Sequence, residues 1–131
     1  MSLWDRINGL TDGIIGAAIQ VHRKLGVGLL ENAYEACLEY ELRDRGMDVD
    51  RQLSLPVVYR DVRADCGYRL DLLVNRLVVV ELKSVEKLNK IHEAQMHTCL
   101  KLTNLNIGLI LNFSELKMVD GVKRIIRGTI D

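Results

Sequence analysis

Asp71, Glu81 and Lys83 carry charge beside or inside apolar runs, which is where chemistry is most readily suspected. The stretch from Asp71 to Lys83 reads DLLVNRLVVVELK, two hydrophobic runs broken by the polar pair Asn75-Arg76. That pattern predicts a β-hairpin. A carboxylate or ammonium buried there is costly unless it is paired or bound to a cation. Glu81 and Lys83 are two positions apart and share one face of a strand. Whether Asp71 joins them depends on the turn. A two-residue loop at Asn75-Arg76 pairs Asp71 with Val80 and sends Glu81 to the opposite face. A three-residue loop over Asn75, Arg76 and Leu77 pairs Asp71 with Glu81. Asn75 tolerates the positive φ that such a loop needs. The longer loop also leaves Leu70, Leu72, Val74, Val78, Val80 and Leu82 as one apolar face, and this clean partition favours it.

Two acids and a lysine at one end of a sheet could hold Mg²⁺, with Mn²⁺ as a substitute, and act on a phosphodiester. Hydrolysis of that bond needs charge neutralised on the phosphate and a water made nucleophilic at neutral pH, and a carboxylate-held cation supplies both. Asp71 and Glu81 are the natural ligands, with the carbonyl of Leu82 at the same strand end. Lys83 can orient the attacking water or stabilise charge on the phosphate. Taken alone, Glu-x-Lys is a weak signal, common on solvated strands; its LVVV flank and its partner Asp71 strengthen it. His22 and His92 are expected to be surface or supporting groups, because Mg²⁺ prefers oxygen and no partner histidine sits at metal spacing. Lys87 and Lys90 are candidate substrate-binding residues. With Lys101, Lys123, Arg124 and Arg127 they would form a phosphate-binding rim, although for each one a solvated charge is the plainer reading.

The elements that must position these groups follow from periodicity. Residues 1–10 read as an N-terminal arm. Thr11 or Asp12 can cap a helix to about Leu25, with Ile14, Ala18, Val21 and Leu25 at helical spacing. Gly26 and Gly28 stop it and turn the chain. A second helix spans about Leu30 to Arg45, with Leu30, Tyr34, Cys37, Leu38 and Leu42 inward and Gly46 as its stop, packed against the first as a hairpin. The period then becomes two: Val49, Leu53, Leu55, Val57 and Tyr59 alternate, and Pro56 marks an edge or a bulge. Arg60-Asp61 is a turn, and Val62 to Leu73 returns to the Asp71 strand. From about Val85 to Leu102 a helix is expected, with Leu88, Ile91, Ala94, Gln95, Thr98, Cys99 and Leu102 on its stripe and Asn104 or Asn106 as its end. Leu105 to Phe113 reads as a buried strand and Val122 to Ile126 as a short final one. The order ααβββαββ is an α/β sandwich with helices on a mixed sheet.

Composition sets the outer bounds. The 131 residues suit one domain, 1–131, with room for a real core. Lysine plus arginine balance aspartate plus glutamate at 18 each, which excludes a bulk basic coat for nucleic acid but not a local basic groove. Cys37, Cys66 and Cys99 are odd in number and form no CxxC, the pattern of reduced thiols rather than of a disulfide or zinc framework. No apolar run approaches spanning length and no signal peptide is evident, so no membrane partner and a cytoplasmic location are expected.

The motifs carry a resemblance. Gly28-Leu-Leu-Glu31-Asn-Ala-Tyr34 resembles the GxxExxY signature of a small bacterial and archaeal protein family. Tyr68-Arg-Leu-Asp71, Glu81-Leu-Lys83 and His92-Glu-Ala-Gln95 resemble its later blocks, so the likeness runs from about Ile14 to Arg127. That family is placed in the PD-(D/E)xK nuclease superfamily. The resemblance implies a restriction-endonuclease-like αβββαβ core, with an extra N-terminal helix and a short C-terminal strand. It also implies that Glu31, Asp71, Glu81, Lys83 and Gln95 fall on active-site positions. Glu31 would complete the metal site, directly or through water, and Gln95 would hydrogen-bond Lys83 or a water. Relatives often show Q-x-x-x-Y on the late helix, whereas here the last position is Cys99. Tyr34 is expected to pack at the helix–sheet junction. The reading is a metal-dependent nuclease for DNA or RNA, with a homodimer, common in the superfamily, as a means of adding surface. The alternative is a non-catalytic nucleic-acid-binding or assembly protein that keeps the fold, since a bare core lacks obvious means of selecting a sequence.

Overall fold

A computed structural model describes residues 1–129, excluding the side chains of residues 66 and 67. The elements in chain order are α1 (Leu3–Leu25), α2 (Glu31–Asp44), β1 (Val49–Tyr59), β2 (Val62–Val74), β3 (Val78–Lys83), α3 (Lys90–Thr103), β4 (Ile107–Asn112), a 3-10 turn (Met118–Gly121) and β5 (Val122–Ile126). The expected ααβββαββ order is observed.

One five-stranded sheet in the order β1-β2-β3-β4-β5 forms the middle layer. Its pairs are antiparallel except β3 with β4, which run parallel because α3 carries the chain back across the sheet. Ile14, Ala17, Val21, Tyr34 and Leu38 from α1 and α2 pack on Leu72, Val74, Val80, Leu82, Leu109 and Leu111. On the other face Met96, Cys99 and Leu100 of α3 pack on Leu70, Val79 and Ile110. The result is a three-layer sandwich. Strand β4 is buried at every position because helices cover both its faces. Among the described residues no helix is long and apolar enough to cross a membrane.

The hairpin turn is the three-residue one. Val74 pairs with Val78 and Leu72 with Val80, and Asn75 and Arg76 both take left-handed φ, 50° and 54°. Pro56 sits at a register shift between Leu55 and Val57 on edge strand β1, where a residue without an N–H does least harm.

Several expectations are corrected. Residues 1–10 are no arm. Ser2 caps α1 in a capping box with Asp5, and Ile7 is buried in the core. Thr11 is therefore not a cap but a buried mid-helix residue whose hydroxyl donates to the Asn8 carbonyl. In α2, Leu30 and Cys37 point outward, and the buried face is Tyr34, Glu35, Leu38 and Leu42. Helix α3 starts later, at Lys90 behind an Asn89 cap, and its buried residues are Met96, Cys99 and Leu100. Ile91 and Leu102 are left exposed because α3 turns Met96, Cys99 and Leu100 to the sheet instead. Leu70 does not belong to the apolar face of Leu72, Val74, Val78, Val80 and Leu82, because it packs in the α3 layer. Cys37 and Cys99 are free thiols, while the Cys66 side chain lies outside the described residues.

Candidate active site

The displacement of Leu70 marks the place where the site is built. Residues two apart on a strand normally share a face, yet Leu70 and Leu72 enter opposite cores. The alternation slips at Asp71, and on the neighbouring strand Gln52, between the pairs Arg51↔Leu72 and Leu53↔Leu70, has a left-handed φ of 54°. The β2–β3 ladder also ends at Leu72↔Val80. Asp71 is thus freed from regular pairing, and its side chain takes over ladder positions. Its Oδ2 accepts the Leu82 N–H at 2.8 Å, while its own N–H donates to Glu81 Oε1 at 3.4 Å.

Two acids in such contact in a partly buried place repel each other. Glu81 is pushed up to about 9, first by burial and then by the Asp71 carboxylate, with Lys83 opposing. Two oxygen-donor acids that cannot both ionise comfortably form a donor set suited to a hard divalent cation, whose charge would offset the repulsion. Lys83, the last residue of β3, lines a cavity of about 200 Å³ together with Glu81, Gln95 and Cys99. Burial and the nearby Glu81 and Asp71 carboxylates push the Cys99 thiol up to about 12, so Cys99 is a neutral wall of this cavity.

Glu31 stands apart. It is exposed at the first turn of α2, and its Oε1 accepts the Ser84 N–H at 3.1 Å, just past the end of β3. The three-acid crowding expected of Glu31, Asp71 and Glu81 is absent: among the described residues no group of three His, Cys, Asp or Glu side chains is placed to hold a metal. Gln95 is exposed and lines the cavity, and among the described residues it makes no hydrogen bond to Lys83. Leu82 buries its side chain under α1 and α2, and it meets the site through its N–H. Lys87 and Lys90 are exposed at the approach to α3. The remaining rim is partly committed elsewhere: Lys123 pairs with Glu93 at 3.6 Å, Arg124 reaches the Thr11 hydroxyl, and Arg127 binds Asn104 and the Leu105 carbonyl. His22 bonds the Glu115 carbonyl at 2.8 Å and belongs to the fold. Tyr34 stacks on Phe113 with ring centres 4.5 Å apart. Its hydroxyl donates to the Gly26 carbonyl and accepts the Leu29 N–H, which fixes the loop that delivers Glu31.

Sequence reasoning missed Glu35 and Gln52. The Gln52 amide donates to Glu35 Oε1 at 2.5 Å and to Asp71 Oδ1 at 3.5 Å, linking the buried Glu35 to the site. Burial, as the leading cause, raises Glu35, and Arg51 at 3.4 Å partly compensates. A signal existed: Glu35 lies at helical spacing with Leu38 and Leu42, so it is an acid on an apolar stripe.

A model of the PD-(D/E)XK nuclease superfamily matches residues 8–125, and the chain belongs to that superfamily. Comparison with curated proteins and with solved structures returned no match.

Proposed function

We propose that residues 1–131 form one nuclease domain of the GxxExxY type that hydrolyses phosphodiester bonds of DNA or RNA with Mg²⁺, or Mn²⁺ in its place. The observation that carries this reading is the meeting of Asp71 and Glu81 at the end of β3, with Lys83 beside them. Asp71 and Glu81 would hold the cation, which when bound supplies charge neutralisation and an acidified water. Lys83 orients the attacking water and faces the developing charge on the phosphate. Gln95 positions water on the cavity wall, and Lys87 and Lys90 hold the strand electrostatically as it approaches. Glu31 fixes the Ser84 N–H and thereby the end of β3, and any role on the cation would run through water. Cys99 has no ring to stack and only a weak S–H donor where a tyrosine would offer both ring and hydroxyl, so those tasks fall to other groups.

One observation favours the second reading, a nucleic-acid-binding or assembly protein that retains the fold: Glu31 is spent on the Ser84 N–H rather than joining Asp71 and Glu81. Calorimetric titration of Mn²⁺ into the wild type and Asp71→Ala separates the two. Binding by the wild type that is lost in the variant supports the nuclease, and no binding at millimolar Mn²⁺ supports the alternative. A plasmid-nicking assay then tests catalysis, and cleavage that survives in Lys83→Ala sinks the assigned mechanism. Sedimentation of the same preparation tests the homodimer.

A further inference from the structure

We propose that His92 contacts the substrate, its Nε2–H donating to a phosphate oxygen of a nucleotide held in the cavity between β2, β3 and α3. This rests on the nuclease reading for the class of ligand and on two observations for the residue.

The first concerns the ring. The Asn89 N–H donates to His92 Nδ1 at 3.1 Å, one half of the box that caps α3. A backbone N–H can only donate, so Nδ1 must present its lone pair and the neutral ring carries its hydrogen on Nε2. Glutamate or glutamine usually fills this capping position, and either can spend its whole head group there. Histidine caps with one nitrogen and keeps a fixed donor on the other.

The second observation is where that ring sits. His92 is partly exposed on the first turn of α3 and lines the same cavity as Glu81 and Lys83. Arg69 of β2 lines it too, and among the described residues neither Arg69 nor Lys83 has an ion-pair partner. Arg69, Lys83, His92 and Gln95 line the cavity together with Glu81, and such donors suit a phosphate that meets a cation on one side and N–H groups on the others. The cavity of about 200 Å³ has room for several waters, and so for a phosphate group. A neutral donor has a further merit, because it binds the anion without repelling the cation that Asp71 and Glu81 would hold.

The test uses thymidine 5′-monophosphate with Mg²⁺ as probe, and side-chain ¹⁵N spectra of the full chain. At neutral pH His92 is expected to show Nδ1 unprotonated and Nε2 protonated, with Nε2 shifting as the nucleotide is added. His92→Ala is expected to weaken nucleotide binding about ten- to hundredfold, the weight of one hydrogen bond to a charged group. Cleavage of an oligonucleotide with Mn²⁺ should lose a similar factor in kcat. Asn89→Ala is the control for the cap. It removes the Asn89 side-chain half and lowers Tm, but it leaves the backbone N–H that sets the ring, so binding and kcat should stay within threefold of wild type. Equal losses in the two variants overturn the proposal, as does a protonated Nδ1 or an Nε2 unmoved by millimolar nucleotide. If His92 responds to the nucleotide but the wild type cleaves nothing with either metal, the nuclease reading fails while the phosphate contact stands.

Discussion

At the scale of single residues, the site is defined by what its acids do without a cation. Glu81 sits near 9 in the folded chain against an ordinary 4.5, so between those values the folded state holds a proton that the unfolded state has released. The sign follows directly: this contribution to stability is fully present below about 4.5 and is lost as pH rises through about 9. Chemical denaturation of the metal-free protein across that window should show stability falling with pH, and Glu81→Gln should flatten the slope. The same proton must leave when a cation binds, so titrations of Mn²⁺ near neutral pH in buffers of different ionisation enthalpy should report release of up to one proton. Gln52 acts on the neighbouring acid. Because its amide spans Glu35 and Asp71, Gln52→Ala should lower Mn²⁺ affinity by about tenfold, the lower end for loss of an orienting partner. Unchanged affinity would show that the Leu82 N–H alone holds Asp71 in place.

At the scale of elements, what could be read from sequence depended on whether a pattern had one solution. The hairpin did. Only a three-residue turn left Leu72, Val74, Val78, Val80 and Leu82 on one apolar face, and the register agrees. Leu70 escaped that logic because the slip at Asp71 depends on Gln52 of the next strand, a contact 19 residues away that no local period encodes. The stripe expected for helix α3 is wrong apart from Cys99, because its apolar residues are spread around most of its circumference and the period alone does not choose a face. Packing on β4 sets the face. Met96 rests directly on Gly108, and a Cβ there would run into the Met96 side chain from Sδ to Cγ. Gly108→Ala should therefore cost about 1–3 kcal/mol, the usual penalty for an extra group in a filled core. The expected readout is a lower midpoint in urea with an unchanged slope. A neutral outcome would mean that the flexible Met96 side chain swings aside, and that α3 is held less tightly than this contact implies.

For the whole molecule, the sheet presents the end of β3 where three layers meet: Glu31 reaches it from the α2 side, His92 and Gln95 flank it from α3, and Asp71 arrives in the plane from β2. The fold thus draws the scattered motifs toward the end of β3, where Glu31 holds the Ser84 N–H apart from the cavity that His92 shares with Glu81 and Lys83. Much of that stability comes from the two apolar layers, and the site works against them, since crowded acids in a partly buried place are a standing cost. Relieving the cost should therefore stabilise the chain while it disables the site. Asp71→Asn keeps an oxygen to accept the Leu82 N–H and removes the charge that repels Glu81. Without metal at high pH this variant should be more stable than the wild type, by on the order of 1 kcal/mol, the free energy that corresponds to about one pKa unit. Saturating Mn²⁺ should reverse the ranking. The wild type gains about 2.7 kcal/mol when the ion is present at a hundred times its dissociation constant, whereas the variant gains little. Thermal melts of both proteins with and without Mn²⁺ supply all four numbers. If the wild type is already the more stable without metal, the Asp71–Glu81 contact is a structural hydrogen-bonded pair and no cation is needed to explain it.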